Sequence, residues 1–214
     1  MTERPPGRPG PLPRFTREQV LEAALELIES MPPEKFSMHK LGQALGVRPM
    51  TLYGYVKNKD DVLAGVTQLA LAKFHHDPGT KAPWYEQIRA SLREIHALCR
   101  QYPHLATLVI NRNAHRPELL HVRERMLGIL LDAGFDADTA LHAFGVLAYY
   151  TTGFAGGQAG LSTSGAAGTI PHLPPGEFPR LTSLADKYAD HASEEAFEFG
   201  LDLLLQGLRR RRRG

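Results

Sequence analysis

Apolar residues recur at helical spacing along almost the whole chain, and no stretch alternates in the way a strand requires. The first stripe is Val20, Ala23, Ala24, Leu27, Ile28 and Met31. Thr16 precedes it, with Gln19 three residues on, a pairing that caps a helix start reciprocally, and Pro32-Pro33 ends it. Ser37 is placed to cap a second helix that buries Met38, Leu41, Ala44 and Leu45. Gly46 supplies a tight turn, and Pro49 suits the first turn of a third helix. Asn58, followed by Asp60 and Asp61, opens a fourth helix to about His75, burying Val62, Val66, Leu69 and part of Leu71. His76 to Pro83 breaks the pattern.

Beyond that break, helical patterns cover Trp84 to Gln101, Leu105 to Asn113, Pro117 to Ala133, Ala137 to Ala155 and Ser193 to about Arg210. Gly156 to Thr182, rich in Gly, Ser, Thr and Pro, reads as a loop, with a short helix near Leu181 to His191. The expected fold is therefore all-α: a disordered basic arm at 1–15, a small three-helix unit with its linking helix at 16–75, and a larger helical domain at 76–214.

A chain of 214 residues, 43% hydrophobic and 22% charged, has room for such a small domain fused to a larger one. Cys99 is the sole cysteine, which excludes an intrachain disulfide and fits a reducing, cytoplasmic setting. The opening MTERPPGRPGPLPR is basic but is not followed by the apolar run of a secretory signal. Ala140 to Gly157 is the most membrane-like stretch, yet His142, Thr151, Thr152 and many small residues mark it as a buried bundle helix, so no membrane partner is expected.

Charge changes the picture locally. The net charge is only +2, but from Lys35 to Lys59 stand Lys35, Lys40, Arg48, Lys57 and Lys59 with His39 and not one acid. Two helices joined by a short turn present the second as a ridge for the major groove of DNA. On that ridge Leu52 and Val56 face inward, leaving Arg48, Pro49, Met50, Thr51, Tyr53 and Tyr55 at or near the outer side. Arg48 suits a guanine edge, and Pro49, Met50 or the Thr51 methyl suit a thymine methyl. Ser37, Lys40, Tyr53 and Lys59 suit phosphates, and His39 suits either role. An acidic protein face is the alternative partner for the same basic surface.

Residues 16 to 66 resemble the N-terminal domain of the TetR family of bacterial transcriptional regulators. The resemblance rests on Leu45-Gly46-Val47, Thr51-Leu52-Tyr53 and Lys57-Asn58-Lys59. It implies backbone contacts from Ser37, Lys40, Tyr53 and Lys59, and base contacts from His39, Pro49, Met50, Thr51 and Tyr55. Arg48 stands where a small capping residue is common in the family, and Gly54 where a larger one is usual. Residues 75 to 155 resemble, more weakly, the tetracycline repressor branch, through His75, Trp84 and the Ala133-Gly134-Phe135 turn. That implies a homodimer on palindromic double-stranded operator DNA, a repressor released when a small-molecule effector shifts the Lys59 to His75 helix. The branch's metal-binding histidine aligns near Leu108 and Val109, which are apolar, so no metal is expected.

For the effector, His75, His96, Asn113, Phe144, Tyr149, Tyr150 and Phe154 offer the mixture of apolar walls and few polar groups that a pocket needs. For pairing, small residues at Ala140, Ala143, Gly145 and Ala148 and the stripe Phe197, Leu201, Leu204 and Leu208 suit a four-helix interface between copies. An enzyme is not expected: His75-His76-Asp77 has no second cluster, and Gly153 to Gly168 lacks the Lys and spacing of a phosphate loop, so neither catalytic residues nor a cofactor are assigned. The five arginines at 209–213 read as a solvated tail.

Overall fold

The computed structural model describes residues 15–72, 81–110, 117–164, 172–174, 176–188 and 193–213. Among these residues all regular structure is helical. The arm lies outside them except for Phe15, and so do His75 and Asn113.

Helix α1 spans Arg17–Glu29 and begins as its sequence dictates. The Thr16 hydroxyl accepts the Gln19 amide at 3.2 Å, and the Thr16 amide donates to Gln19 Oε1 at 2.8 Å. A single 3-10 turn, Pro33–Lys35, leads into α2, Met38–Ala44, where the Ser37 hydroxyl accepts the Lys40 amide at 3.3 Å. Gly46, with φ +64°, then closes the helix: its amide donates to Gln43 O, and that of Val47 to Gly42 O. That pair of bonds uses the last carbonyls of α2 and aims the chain directly into α3, Pro49–Leu52. The turn sits so tightly on α2 that a Cβ at Gly42 would come within 2.9 Å of Val47 O. Helix α4, Lys59–Ala72, starts with Asn58 Oδ1 accepting the Asp61 amide at 2.8 Å.

The larger part contains α5 (Trp84–Gln101), α6 (Pro103–Ile110), α7 (Pro117–Asp132) and α8 (Ala137–Ser164). Two short helices follow, α9 (Pro179–Ser183) and α10 (Ala185–Tyr188), and then α11 (Glu194–Arg213). Helices α5 and α11 run antiparallel, fixed by Arg100 on Glu194 at 2.5 Å, Arg93 on Glu198 at 2.5 Å and Arg89 on Glu198 and Asp202. The Arg93 guanidinium holds the Glu198 carboxyl below its usual range.

Two apolar cores form. One joins α1, α2, α3 and α4 around Ile28, Phe36, Leu41, Leu52, Leu63 and Val66, and takes in Leu105 from α6. The other joins α5, α7, α8 and α11 around Ile88, Leu92, Met126, Leu130, Leu147, Phe197 and Leu201.

Three boundaries differ from the sequence reading. Helix α6 starts at Pro103 rather than Leu105, because proline occupies a first helical position without losing a bond. Helix α8 continues nine residues past Ala155 to Ser164. Ala155 is buried and Gln158 bonds to His96, so tertiary packing carries the helix through Gly156-Gly157, where local propensity predicts an end. Helix α11 includes the arginine run, so that segment is helical up to Arg213.

Candidate functional site

The helix-turn-helix exposes one coherent face. His39, Arg48, Thr51, Met50 at 78% exposure and Tyr53 at 47% all stand in solvent, while Leu52 and Val56 are buried beneath them. Arg48 is the cap residue of α3, and no side-chain bond ties it there. Pro49 is half-buried at the first turn. Ser37 is occupied as a cap, and the Lys40 ammonium lies 3.8 Å from Met31 Sδ.

Two of the expected contact residues also make bonds within the reading unit. The Tyr55 hydroxyl accepts the Phe15 amide at 3.3 Å, and the two rings meet edge to face at 6.4 Å. Lys59 donates to the Phe36 carbonyl at 2.6 Å and lies 5.3 Å above the Phe36 ring centre. Both side chains therefore help to hold the reading unit together.

A cavity of about 230 Å³ lies between the two cores. Thr67, Ala70 and Leu71 of α4 form one wall, and Cys99, Tyr102 and Leu105, from the end of α5 and the start of α6, form another. Arg123 and Met126 of α7 and Phe144, Thr151 and Thr152 of α8 close it. Burial pushes the Cys99 thiol up to about 11, so it is neutral at pH 7.

Of the described residues among those the sequence suggests for a pocket, Phe144 alone lines this cavity. His96 is buried, but its ring stacks on Phe197 at 3.9 Å and its Nε2 lies 3.0 Å from Gln158 Oε1. Phe154 meets the His96 ring edge-on at 5.8 Å, and the Tyr150 hydroxyl donates to the Phe197 carbonyl at 2.7 Å. These three form an aromatic cluster with Phe197 inside the second core. Tyr149 is 81% exposed and points away from the bundle. His75 and Asn113 lie outside the described residues.

Sequence reasoning passed over Thr67, Tyr102 and Arg123. A signal existed for Arg123, since it stands within the apolar stripe Leu119, Val122 and Met126 of α7.

Of the residues the sequence suggests for pairing, Phe197 and Leu201 are fully buried within the chain; among the described residues of α8 and α11, the large apolar groups left exposed are Leu141, Val146, Tyr149, Phe199 and Leu203. Phe197 and Leu201 of the expected stripe are used up against α5 and α8, while Leu204 and Leu208 stay half-buried and Phe199 and Leu203 stand outermost.

Residues 77–212 match the family model described as the tetracyclin repressor-like C-terminal domain. The chain belongs to the TetR family of transcriptional regulators. It is 28% identical over 197 residues to the class A tetracycline repressor from transposon 1721 of Escherichia coli, covering 90% of both chains. Among solved structures it resembles the TetR-family protein ActR of Streptomyces coelicolor in complex with (S)-DNPA, at 25% identity and a TM-score of 0.73, covering 91% of this chain and 96% of that one. A possible TetR-family regulator from Streptomyces coelicolor A3(2) is similar at 25% identity and a TM-score of 0.78, covering 90% of this chain and 98% of that one.

In this TetR-family regulator Leu108 packs against the first core. Among the described residues no helix is long and apolar enough to cross a membrane.

Proposed function

We propose that the protein is a homodimeric repressor that binds a palindromic operator through paired α2–α3 units and lets go when a small molecule enters the cavity. It acts by binding alone, in the cytoplasm, with residues 16–75 as the reading unit and 76–214 as the sensing and pairing unit. His39, Arg48, Pro49, Met50, Thr51 and Tyr53 read or grip the DNA, and Lys40 and Lys59 support the phosphate contacts. The ActR relative has been solved with actinorhodin bound, which favours a ligand-responsive reading here.

One observation carries the proposal. Thr67, Ala70 and Leu71 of the cavity wall lie on the same helix whose first residue, Lys59, is bonded to Phe36 immediately ahead of α2. A helix is stiff over about 20 Å, so a ligand that displaces the cavity end of α4 also moves the reading unit. In a two-fold dimer the recognition helices must sit about 34–36 Å apart, and a coupling of about 1–3 kcal/mol is enough to disturb that spacing severalfold in affinity. The exposed apolar stripes of α8 and α11 support the pairing.

The test is selection from a random duplex library with the purified protein at physiological salt. A palindrome with two half-sites is the expected product. Weak, salt-sensitive binding with no enriched sequence would overturn the operator reading and favour an acidic protein partner.

A further inference from the structure

The walls of the cavity are apolar apart from a few groups whose chemistry is uneven. Three are threonines, and each hydroxyl proton is already spent on its own helix: Thr67 donates to Leu63 O at 2.7 Å, Thr151 to Leu147 O at 2.9 Å and Thr152 to Ala148 O at 2.8 Å. Cys99 is a neutral thiol, a weak donor at best. Arg123 is different. Among the described residues it carries the one formal charge in the lining, none of the described lining residues is an acid, and no ion pair or hydrogen bond joins it to another described residue.

Arg123 is half-buried beside apolar walls, and its guanidinium presents a rigid fork of donors that matches a carboxylate bidentately. We infer that the effector is a small apolar carboxylate whose anionic end pairs with Arg123 while its hydrocarbon body fills the space against α4 and α8. This rests on the cavity being the effector site proposed above. A neutral ligand of the same shape would leave the guanidinium desolvated and unpaired, so selectivity for the anion is built in. The cavity of about 230 Å³ lies just under the usual ligand-site range of about 300–1,000 Å³, which sets the body at one or two rings or a short chain.

The arrangement also gives the anion a mechanical effect. Arg123 belongs to α7 and lines the same cavity as Thr67 and Leu71 of α4. A ligand tethered at the guanidinium therefore places its apolar end among walls that include Thr67, Ala70 and Leu71 of α4.

Calorimetric titration of the full-length protein with matched pairs tests this: benzoate and benzamide, 2-naphthoate and 2-naphthamide, decanoate and decanamide. At least one carboxylate should bind at least about tenfold more tightly than its amide. Arg123→Gln should erase that preference by lowering carboxylate affinity about 10- to 100-fold while leaving amide affinity unchanged. Arg123→Lys, which keeps the charge, should retain part of the preference and guards against a folding defect. Equal binding of acid and amide, insensitive to Arg123→Gln, would overturn the anion inference and leave the cavity as a site for neutral ligands. Binding of no member of any pair would overturn both the inference and the effector-site reading beneath it.

Discussion

The Glu29 carboxylate, at the end of α1, accepts the Leu105 amide at 2.8 Å and the His104 amide at 3.3 Å. It thereby caps α6, whose first amides have no partner within their own helix. The His104 ring adds a third tie, with Nδ1 3.1 Å from the Ile28 carbonyl and so acting as its donor. Leu105 belongs to the first core and also lines the cavity, so one carboxylate connects the cavity wall to the back of the reading unit.

Replacing Glu29 by Ala removes both bonds and leaves two amides at a helix start. The expected loss is about 1.5–3 kcal/mol, the usual range for hydrogen bonds to a charged group. Urea unfolding checks it: the midpoint should fall with the slope unchanged. An unmoved midpoint would mean that water replaces the carboxylate without cost.

Lys59 gives a second, separable prediction. Because its ammonium holds Phe36 O from behind, Lys59→Met should destabilise the protein by about 1 kcal/mol even without DNA. It should also weaken binding to every duplex alike and flatten the dependence on salt, as expected when a phosphate-side charge is lost. Lys59→Arg keeps the charge and should preserve the salt slope. A slope identical in the Met variant and the parent would confine Lys59 to its structural role.

Much of this architecture is legible in the chain because the deciding signals are local. Thr16 with Gln19, Ser37, Gly46 and Pro49 each fix a helix end through their own backbone chemistry, and the reading face follows from the spacing of Leu52 and Val56. The sensing half is harder to read, because every amphipathic helix there has several apolar neighbours. His96, Tyr150 and Phe154 have the composition of a pocket, but which side of α8 meets α11 and which meets α5 and α7 is settled by packing of segments far apart in sequence. The same ambiguity moves the outward stripe of α11 from Phe197 and Leu201 to Phe199 and Leu203.

Asp61 ties the reading unit together in a way that depends on pH. Its carboxylate accepts the Lys57 amide at 2.8 Å and an Arg17 N–H at 2.9 Å. The backbone bond from Lys57 first, and then Arg17, hold its pKa below the ordinary value. A depressed carboxyl stabilises the fold fully above its unfolded pKa of about 3.9 and loses that contribution as pH falls through the folded value. The parent should therefore exceed Asp61→Asn in stability at pH 7, with the gap narrowing below about pH 4. Thermal unfolding of both proteins across that range is the measurement. A gap that stays constant with pH would show that the carboxylate charge contributes nothing.

The pairing surface can be tested without touching either core. Tyr149 is 81% exposed and Leu203 is 56% exposed, so neither contributes much to the fold of the single chain. In a two-fold interface each substitution enters twice and faces its own copy or close neighbours, which multiplies the cost of a charge. Tyr149→Glu combined with Leu203→Glu should therefore give a monomer by sedimentation while the helical circular dichroism stays that of the parent. Operator affinity should fall by about 10²- to 10⁴-fold, because each reading unit then binds its half-site without the effective concentration that its partner supplies. A double variant that remains dimeric would place the interface elsewhere. A monomer that still held the full operator at undiminished affinity would remove the need for paired readers and, with it, the geometric basis for release by movement of α4.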